Sequence, residues 1–136
     1  MRQATSGDIP EIIRMARDFH RHNAPPWPFS ADATGETIAG LIDAPNGFVA
    51  IGGGFIAGLI VPNPISPEWI IAKEFLWWSE GKDGPRLLRH FREWAKSQGV
   101  NEIQYSRPAK AERVGRFYDR IARQSEIVHS EFCHVS

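Results

Sequence analysis

The apolar positions of this chain switch period within one stretch, residues 70–98. Ile70, Ile71, Ala72, Phe75, Leu76, Trp77 and Trp78 form a nearly continuous apolar run broken by Lys73 and Glu74, which predicts a strand covered on both faces. Ser79, Glu80, Gly81, Lys82, Asp83 and Gly84 follow as a polar, glycine-containing loop of poor strand propensity. Leu87, Leu88, Phe91, Trp94 and Ala95 then recur at the spacing of one helix face. Gly84 suits the N-cap of that helix and Pro85 its first position. A loop that opens directly into a helix aims free backbone N–H groups and a positive dipole end at one spot, a natural place for an anion.

The flanking pattern supplies the other elements. Residues 1–5 suit a short strand. Ser6, Gly7, Asp8, Pro10 and Glu11 read as a helix start, with Ile9, Ile12, Ile13, Ala16 and Phe19 on one face. His20 and His22 lie too close in sequence to share a helix face and read as solvated side chains at its end. Pro25, Pro26 and Pro28 forbid further helix, so residues 23–30 form a loop carrying Trp27 and Phe29, either a rigid connector or a lid over a cleft. A second helix is predicted over 33–43. Strands over 48–51 and 55–61 flank Gly52, Gly53 and Gly54; a strand follows this triplet, so it reads as a hairpin turn and not a nucleotide loop. After the central helix, Gly99 is a stop signal, 100–105 a strand, 109–122 a helix with Val114, Phe117, Tyr118 and Ile121 on one face, and 126–135 a closing strand, bent or split in two. The order β-α-α-β-β-β-α-β-α-β predicts an α+β domain with a mixed sheet.

Composition narrows the field. A length of 136 residues fits one domain with a real core, residues 1–136 as a unit. Sixteen basic residues balance sixteen acidic ones, which gives no broad pull toward nucleic acid or an anionic membrane. One cysteine, Cys133, excludes an internal disulfide and favours a reducing, cytoplasmic setting. Arg2, Asp8 and Glu11 come too early for a secretory signal, and no apolar run reaches the length of a membrane span.

The element order, with a strand–loop–helix unit at its centre, resembles the GNAT N-acetyltransferase family along nearly the whole chain. RQATSGDIPEIIRMARDF looks like the family's first strand and helix, and residues 74–98 look like its acetyl-CoA motif, in which a strand ends in an R/Q-x-x-G-x-G/A loop before a helix. VGRFYDRIA is similar to its late tyrosine signature, with Tyr118 at the tyrosine position. Gly84 takes the final glycine position, Lys82 stands at the earlier one, Ser79 stands where Arg or Gln is usual, and Ala122 and Arg123 replace a later Gly-Phe pair. WWSEGKDGPRLL resembles a compact form of the loop in small GNAT-like proteins, some of them phage-associated.

The resemblance implies a mixed, mostly antiparallel sheet flanked by helices, and acetyl-CoA held in a V-shaped opening between the central strand and the next, parallel one. Leu76, Trp77 and Trp78 would offer backbone groups to the pantetheine arm. Gly81, Lys82, Asp83, Gly84 and Arg86 would surround the diphosphate, with Lys82 and Arg86 as cations or as ordinary surface charges. An amine would be acetylated directly in a ternary complex, with Trp27 and Phe29 at its pocket. Tyr118 is the candidate general acid for the thiolate, or else a core tyrosine. Glu74 is the candidate general base: plain alternation puts it on the face of Ala72, Leu76 and Trp78, where desolvation would raise its pKa; a purely structural ion pair is the other reading. Glu68, His129, His134 and the carboxylate of Ser136 are weaker candidates. No metal and no covalent nucleophile is expected, and a homodimer stays open. A non-catalytic GNAT-fold module that binds acyl-CoA or a protein is the alternative.

Overall fold

The computed structural model describes residues 1–133. Strand β1 (Arg2–Gln3) leads through a single 3-10 turn (Ser6–Asp8) into helix α1 (Ile9–Asn23). Asp8 locks this entry: its carboxylate accepts from the Thr5 N–H at 2.8 Å and pairs with Arg2 at 2.6 Å. Helix α2 (Ala31–Asp43) begins two residues earlier than the apolar pattern predicts, because the Ser30 hydroxyl caps the Ala33 N–H at 3.1 Å. Strands β2 (Gly47–Ile51), β3 (Gly54–Pro62) and β4 (Ile70–Ser79) follow, then helix α3 (Gly84–Ser97), strand β5 (Glu102–Gln104) and helix α4 (Glu112–Asp119).

The five strands form one sheet in the order β1-β2-β3-β4-β5, antiparallel except for the parallel β4–β5 pair, so the expected α+β class with a mixed, mostly antiparallel sheet is what the chain adopts. The β2–β3 turn is the predicted glycine hairpin, and Gly53 takes a φ of 62°, which a larger residue rarely tolerates. One face of the sheet packs Val49, Phe55 and Ala57 against Ile12, Met15 and Ile38 of α1 and α2. The other packs Phe48, Ile56 and Ala72 against Leu87, Leu88 and Phe91 of α3 and Tyr118 of α4. Phe55 and Phe91 are fully buried, each worth roughly 2–3 kcal/mol of apolar transfer.

The irregularity that shapes the site lies in β4. Ala57 pairs with Leu76 while its neighbour Gly58 pairs with Glu74, which leaves Phe75 as the extra residue of a β-bulge. The bulge resets the alternation. Glu74 does lie on the face of Ala72, but Leu76 and Trp78 do not share it: they pack with the α1–α2 layer, and Trp77 takes the Glu74 face. Lys73 and Phe75 are exposed, so the covering of β4 on both faces is incomplete.

Three other expectations shift. The N-cap position of α3 is Asp83, one residue before Gly84, since the first helical bond runs from the Leu87 N–H to the Asp83 carbonyl. Strand β5 and helix α4 are shorter than predicted; Asn101 receives Ile70 N–H with its side chain, and residues 108–111 turn on an Ala111 N–H to Pro108 carbonyl bond. The closing strand is not formed among the described residues: 126–133 have no regular structure, and Ile127, Val128 and Phe132 are exposed. Ile127 and Val128 are consecutive, so a strand here would place one on each face with cover for neither. His134 and Ser136 lie outside the described residues.

Candidate active site in the cleft between β4 and β5

Strands β4 and β5 pair only from Ile71 with Glu102 to Lys73 with Gln104. Beyond that point β4 continues to Ser79 alone on this side, and the backbone contact of the two segments narrows to Ser106, whose hydroxyl donates to the Glu74 carbonyl at 3.0 Å. The opening holds a cavity of about 960 Å³, lined among others by Glu74, Trp77, Trp78, Gly81, Gly84 and Tyr118. With Trp27, which also lines it, seven candidate site residues from the sequence therefore meet in one cleft.

Its chemical centre is Glu74. The residue is 2% exposed. Its Oε2 accepts from the Tyr118 hydroxyl at 3.1 Å and from the Ser106 N–H at 3.2 Å. Burial pushes the carboxyl up to about 7, because the charged form loses water; the two hydrogen bonds offset part of that rise. Among the described residues no cation pairs with it, which speaks against the structural ion-pair reading. Tyr118 is held by stacking on Tyr105, centroids 5.1 Å apart, and by Trp77 at 5.7 Å. Burial, then the neighbouring Glu74 charge, raise its phenol above the ordinary tyrosine value, so it stays protonated. Such a pair can accept a proton near neutrality and hold it beside a hydroxyl able to pass one on.

Trp77 ties the strand to the helix: its Nε1 donates to the Gly84 carbonyl at 3.1 Å. Gly84 itself has little room, since an added Cβ would lie 3.0 Å from Ser79 Cβ. The remaining loop residues stand apart. Lys82, Asp83 and Arg86 do not line the cleft; Asp83 lies against the β2–β3 turn, where a Cβ on Gly53 would come 2.7 Å from its Oδ2, and Arg86 pairs with Asp83 at 3.5 Å. The cations that do line it, Arg107, Lys110 and Arg113, come from the other wall. Nothing in the local pattern around these residues marked them, nor Ser106, because their place depends on how far β5 diverges.

Leu76, turned to the opposite face by the bulge, lines a second chamber of about 260 Å³ with Trp27, Phe29, Thr37 and Ile38. Trp27 borders both cavities. The loop bearing it is fixed to α1: the His20 ring nitrogen and the Trp27 carbonyl are 2.7 Å apart, and the His20 ring packs on Trp27 and Phe29. His20 is thus a loop anchor and not a merely solvated residue, while His22 packs against Trp78 at the cleft wall. Across the mouth, the Lys110 ammonium donates to the Asn23 carbonyl. Glu68 and His129 do not line this cleft.

No model of a known protein family matches the sequence, and no curated protein does. Solved structures do match in shape. A transcriptional regulator from Bacillus halodurans C-125 superposes with a TM-score of 0.76 at 19% identity, over 96% of this chain and 97% of its own. A ribosomal-protein-alanine N-acetyltransferase from Brucella melitensis biovar Abortus 2308 gives 0.66 at 12% identity, over 96% and 95%. An aminoglycoside acetyltransferase from an uncultured soil metagenomic sample gives 0.67 at 16%, over 96% and 93%. The fold of this chain is the GNAT fold.

Proposed function

We propose that this chain is an acetyl-CoA-dependent N-acetyltransferase of the cytoplasm. The observation that carries the reading is the Glu74–Tyr118 pair set in the cleft where β4 parts from β5, on a fold shared with acetyltransferases. Acetyl-CoA lies along the uncovered edge of β4, with its pantetheine arm at the backbone of Leu76, Trp77 and Trp78. The diphosphate faces the amides of residues 81–84 at the start of α3, where the helix dipole favours an anion. Lys82 and Arg86 add positive potential from outside the cleft wall, and Arg107, Lys110 and Arg113 from the facing one.

The amine attacks the thioester carbon while Glu74 Oε2 accepts a proton from its nitrogen. A strand-end N–H of Leu76 or Trp77 stabilises the oxyanion, a contact worth about 100- to 1000-fold in rate. On collapse, the C–S bond breaks and the Tyr118 hydroxyl gives its proton to the leaving sulfur, as the Glu74 carboxyl returns the amine's proton to the phenolic oxygen. The bond between Tyr118 and Glu74 makes that relay direct, and a phenol with a raised pKa needs it. Trp27 and Phe29 bound the acceptor. In the adjoining chamber the Ser30 and Thr34 hydroxyls are already used in helix capping, so its walls suit an uncharged apolar group on the amine.

The placement of Lys82, Asp83 and Arg86 outside the cleft favours a second reading, a GNAT-fold module that binds acyl-CoA without turnover. Thermal unfolding and turnover separate the two. With acetyl-CoA at about 100 times its Kd the fold should gain about 2.7 kcal/mol, and a panel of apolar amines should release free CoA thiol. Stabilisation without release supports the second reading; neither effect overturns both.

A further inference from the structure

The loop that opens α3 carries two carboxylates, Glu80 and Asp83, where a diphosphate-binding loop is proposed. Each is held by an arginine. Arg86 takes Asp83 from within α3. Glu80 is taken from far away in sequence: Arg14 of α1 grips it with both ends of its guanidinium, Nη2 to Oε1 at 2.6 Å and Nη1 to Oε2 at 3.2 Å. The Arg14 side chain is itself braced by Glu11 at 2.6 Å and Asp18 at 2.9 Å, so its reach toward the loop is fixed. The neighbours of Glu80 on both sides, Ser79 and Gly81, line the cleft, and Glu80 does not. Its backbone is pinned separately, by its N–H to the Gly53 carbonyl at 2.8 Å.

We propose that Arg14 is a positioning residue that neutralises Glu80 and holds its carboxylate away from the cleft, so that the loop accepts the diphosphate of an acyl-CoA. The inference rests on the acetyl-CoA reading above. An acidic residue at the centre of an anion loop raises the electrostatic cost of a doubly charged ligand, and a fixed two-point arginine that turns the carboxylate away offsets part of that cost, its charge being shared with Glu11 and Asp18. Glu80 is held below the usual carboxylate range chiefly by its hydrogen bonds to Arg14, so the pair stays ionised at neutral pH. The backbone bond to Gly53 keeps the loop's course without the side chain, which makes the role electrostatic and separable from folding.

The test is acetyl-CoA binding by calorimetry, with steady-state rates, in four variants at low salt. Arg14→Gln should weaken acetyl-CoA binding about three- to tenfold, and raise KM without a matching fall in kcat, with the defect shrinking near 1 M salt. Arg14→Lys, which keeps the charge, should bind close to the unsubstituted protein. Glu80→Gln should bind as well or better, and Arg14→Gln with Glu80→Gln should recover the lost affinity. S-acetyl-N-acetylcysteamine, a thioester without a diphosphate, should not distinguish the variants. If the double variant stays as weak as Arg14→Gln, or the short thioester shows the same defect, Arg14 is a plain structural strut and the inference fails. Equal acetyl-CoA affinity in all variants also overturns it while leaving the acetyl-CoA reading intact. Failure of the unsubstituted protein to bind acetyl-CoA removes both.

Discussion

Glu74 is a buried carboxyl held by one phenol and one amide, with no cation paired to it among the described residues. That environment is costly when the group is charged, and the cost has a definite pH signature. Below the ordinary carboxyl value of 4.5, Glu74 is neutral in both the folded and the unfolded chain, and its contribution is fully present. As pH rises from there toward about 7, the unfolded chain ionises while the folded one keeps the proton, so stability falls. The loss levels off above 7 and is on the order of 3 kcal/mol. Glu74→Gln keeps an acceptor for Tyr118 and cannot ionise, so its unfolding free energy should lack this slope; denaturant midpoints at about pH 5 and about pH 8 measure it. Parallel slopes in the two proteins would show that Glu74 does not titrate as its burial demands. Part of this was legible in the sequence. A lone acidic residue in an apolar run marks a desolvated carboxyl, but its partners Ser106 and Tyr118 lie 32 and 44 positions away, and no local pattern joins them.

The bulge at Phe75 decides which β4 side chains meet the cleft. Period-two alternation carried Glu74, Leu76 and Trp78 to one face, a sound inference for a regular strand and wrong for this one. An extra residue in a ladder leaves no mark in an apolar run, since Phe75 is as strand-compatible as its neighbours. Its counterpart in β3 is Gly58, and there the reason for a glycine is steric: an added Cβ would lie 2.5 Å from Phe91 Cε2 and 2.7 Å from the Lys73 carbonyl. Gly58→Ala should therefore destabilise the fold by about 1–3 kcal/mol and lower Tm by several degrees. Gly40→Ala in α2, where the added methyl meets nothing within 4 Å, should raise Tm instead, by up to about 1 kcal/mol of helix propensity. Calorimetric Tm values for both decide it; equal effects would mean that backbone entropy, not packing at the bulge, sets the outcome. The α3 unit was easier to read, because Leu87, Leu88, Phe91 and Ala95 repeat at helical spacing and are all buried.

At the level of the whole molecule, the order of elements from β1 to α4 was legible because each helix and strand carries its own period and punctuation, with Pro25, Gly52 and Gly99 marking the breaks. What was hidden depends on distance across the fold: the divergence of β5, the second chamber behind Leu76, the reach of Arg14 to Glu80, and the absence of a strand over 126–133 among the described residues. In the architecture as a whole, a buried carboxyl, Glu74, and the start of helix α3, at Gly84 and Pro85, line the same cleft. On the proposed function, that layout serves to take a proton from a nucleophile while an anionic carrier is held nearby. The measurement that tests this most directly is the rate of acetyl-CoA-dependent thiol release with an apolar amine as a function of pH, corrected for the fraction of neutral amine. The rate should climb tenfold per pH unit and level off near 7, where Glu74 loses its proton, and Glu74→Gln should lower it at least about 100-fold with acetyl-CoA binding unchanged. A Glu74→Gln protein as fast as the unsubstituted one, or a flat profile through pH 7, would contradict the account.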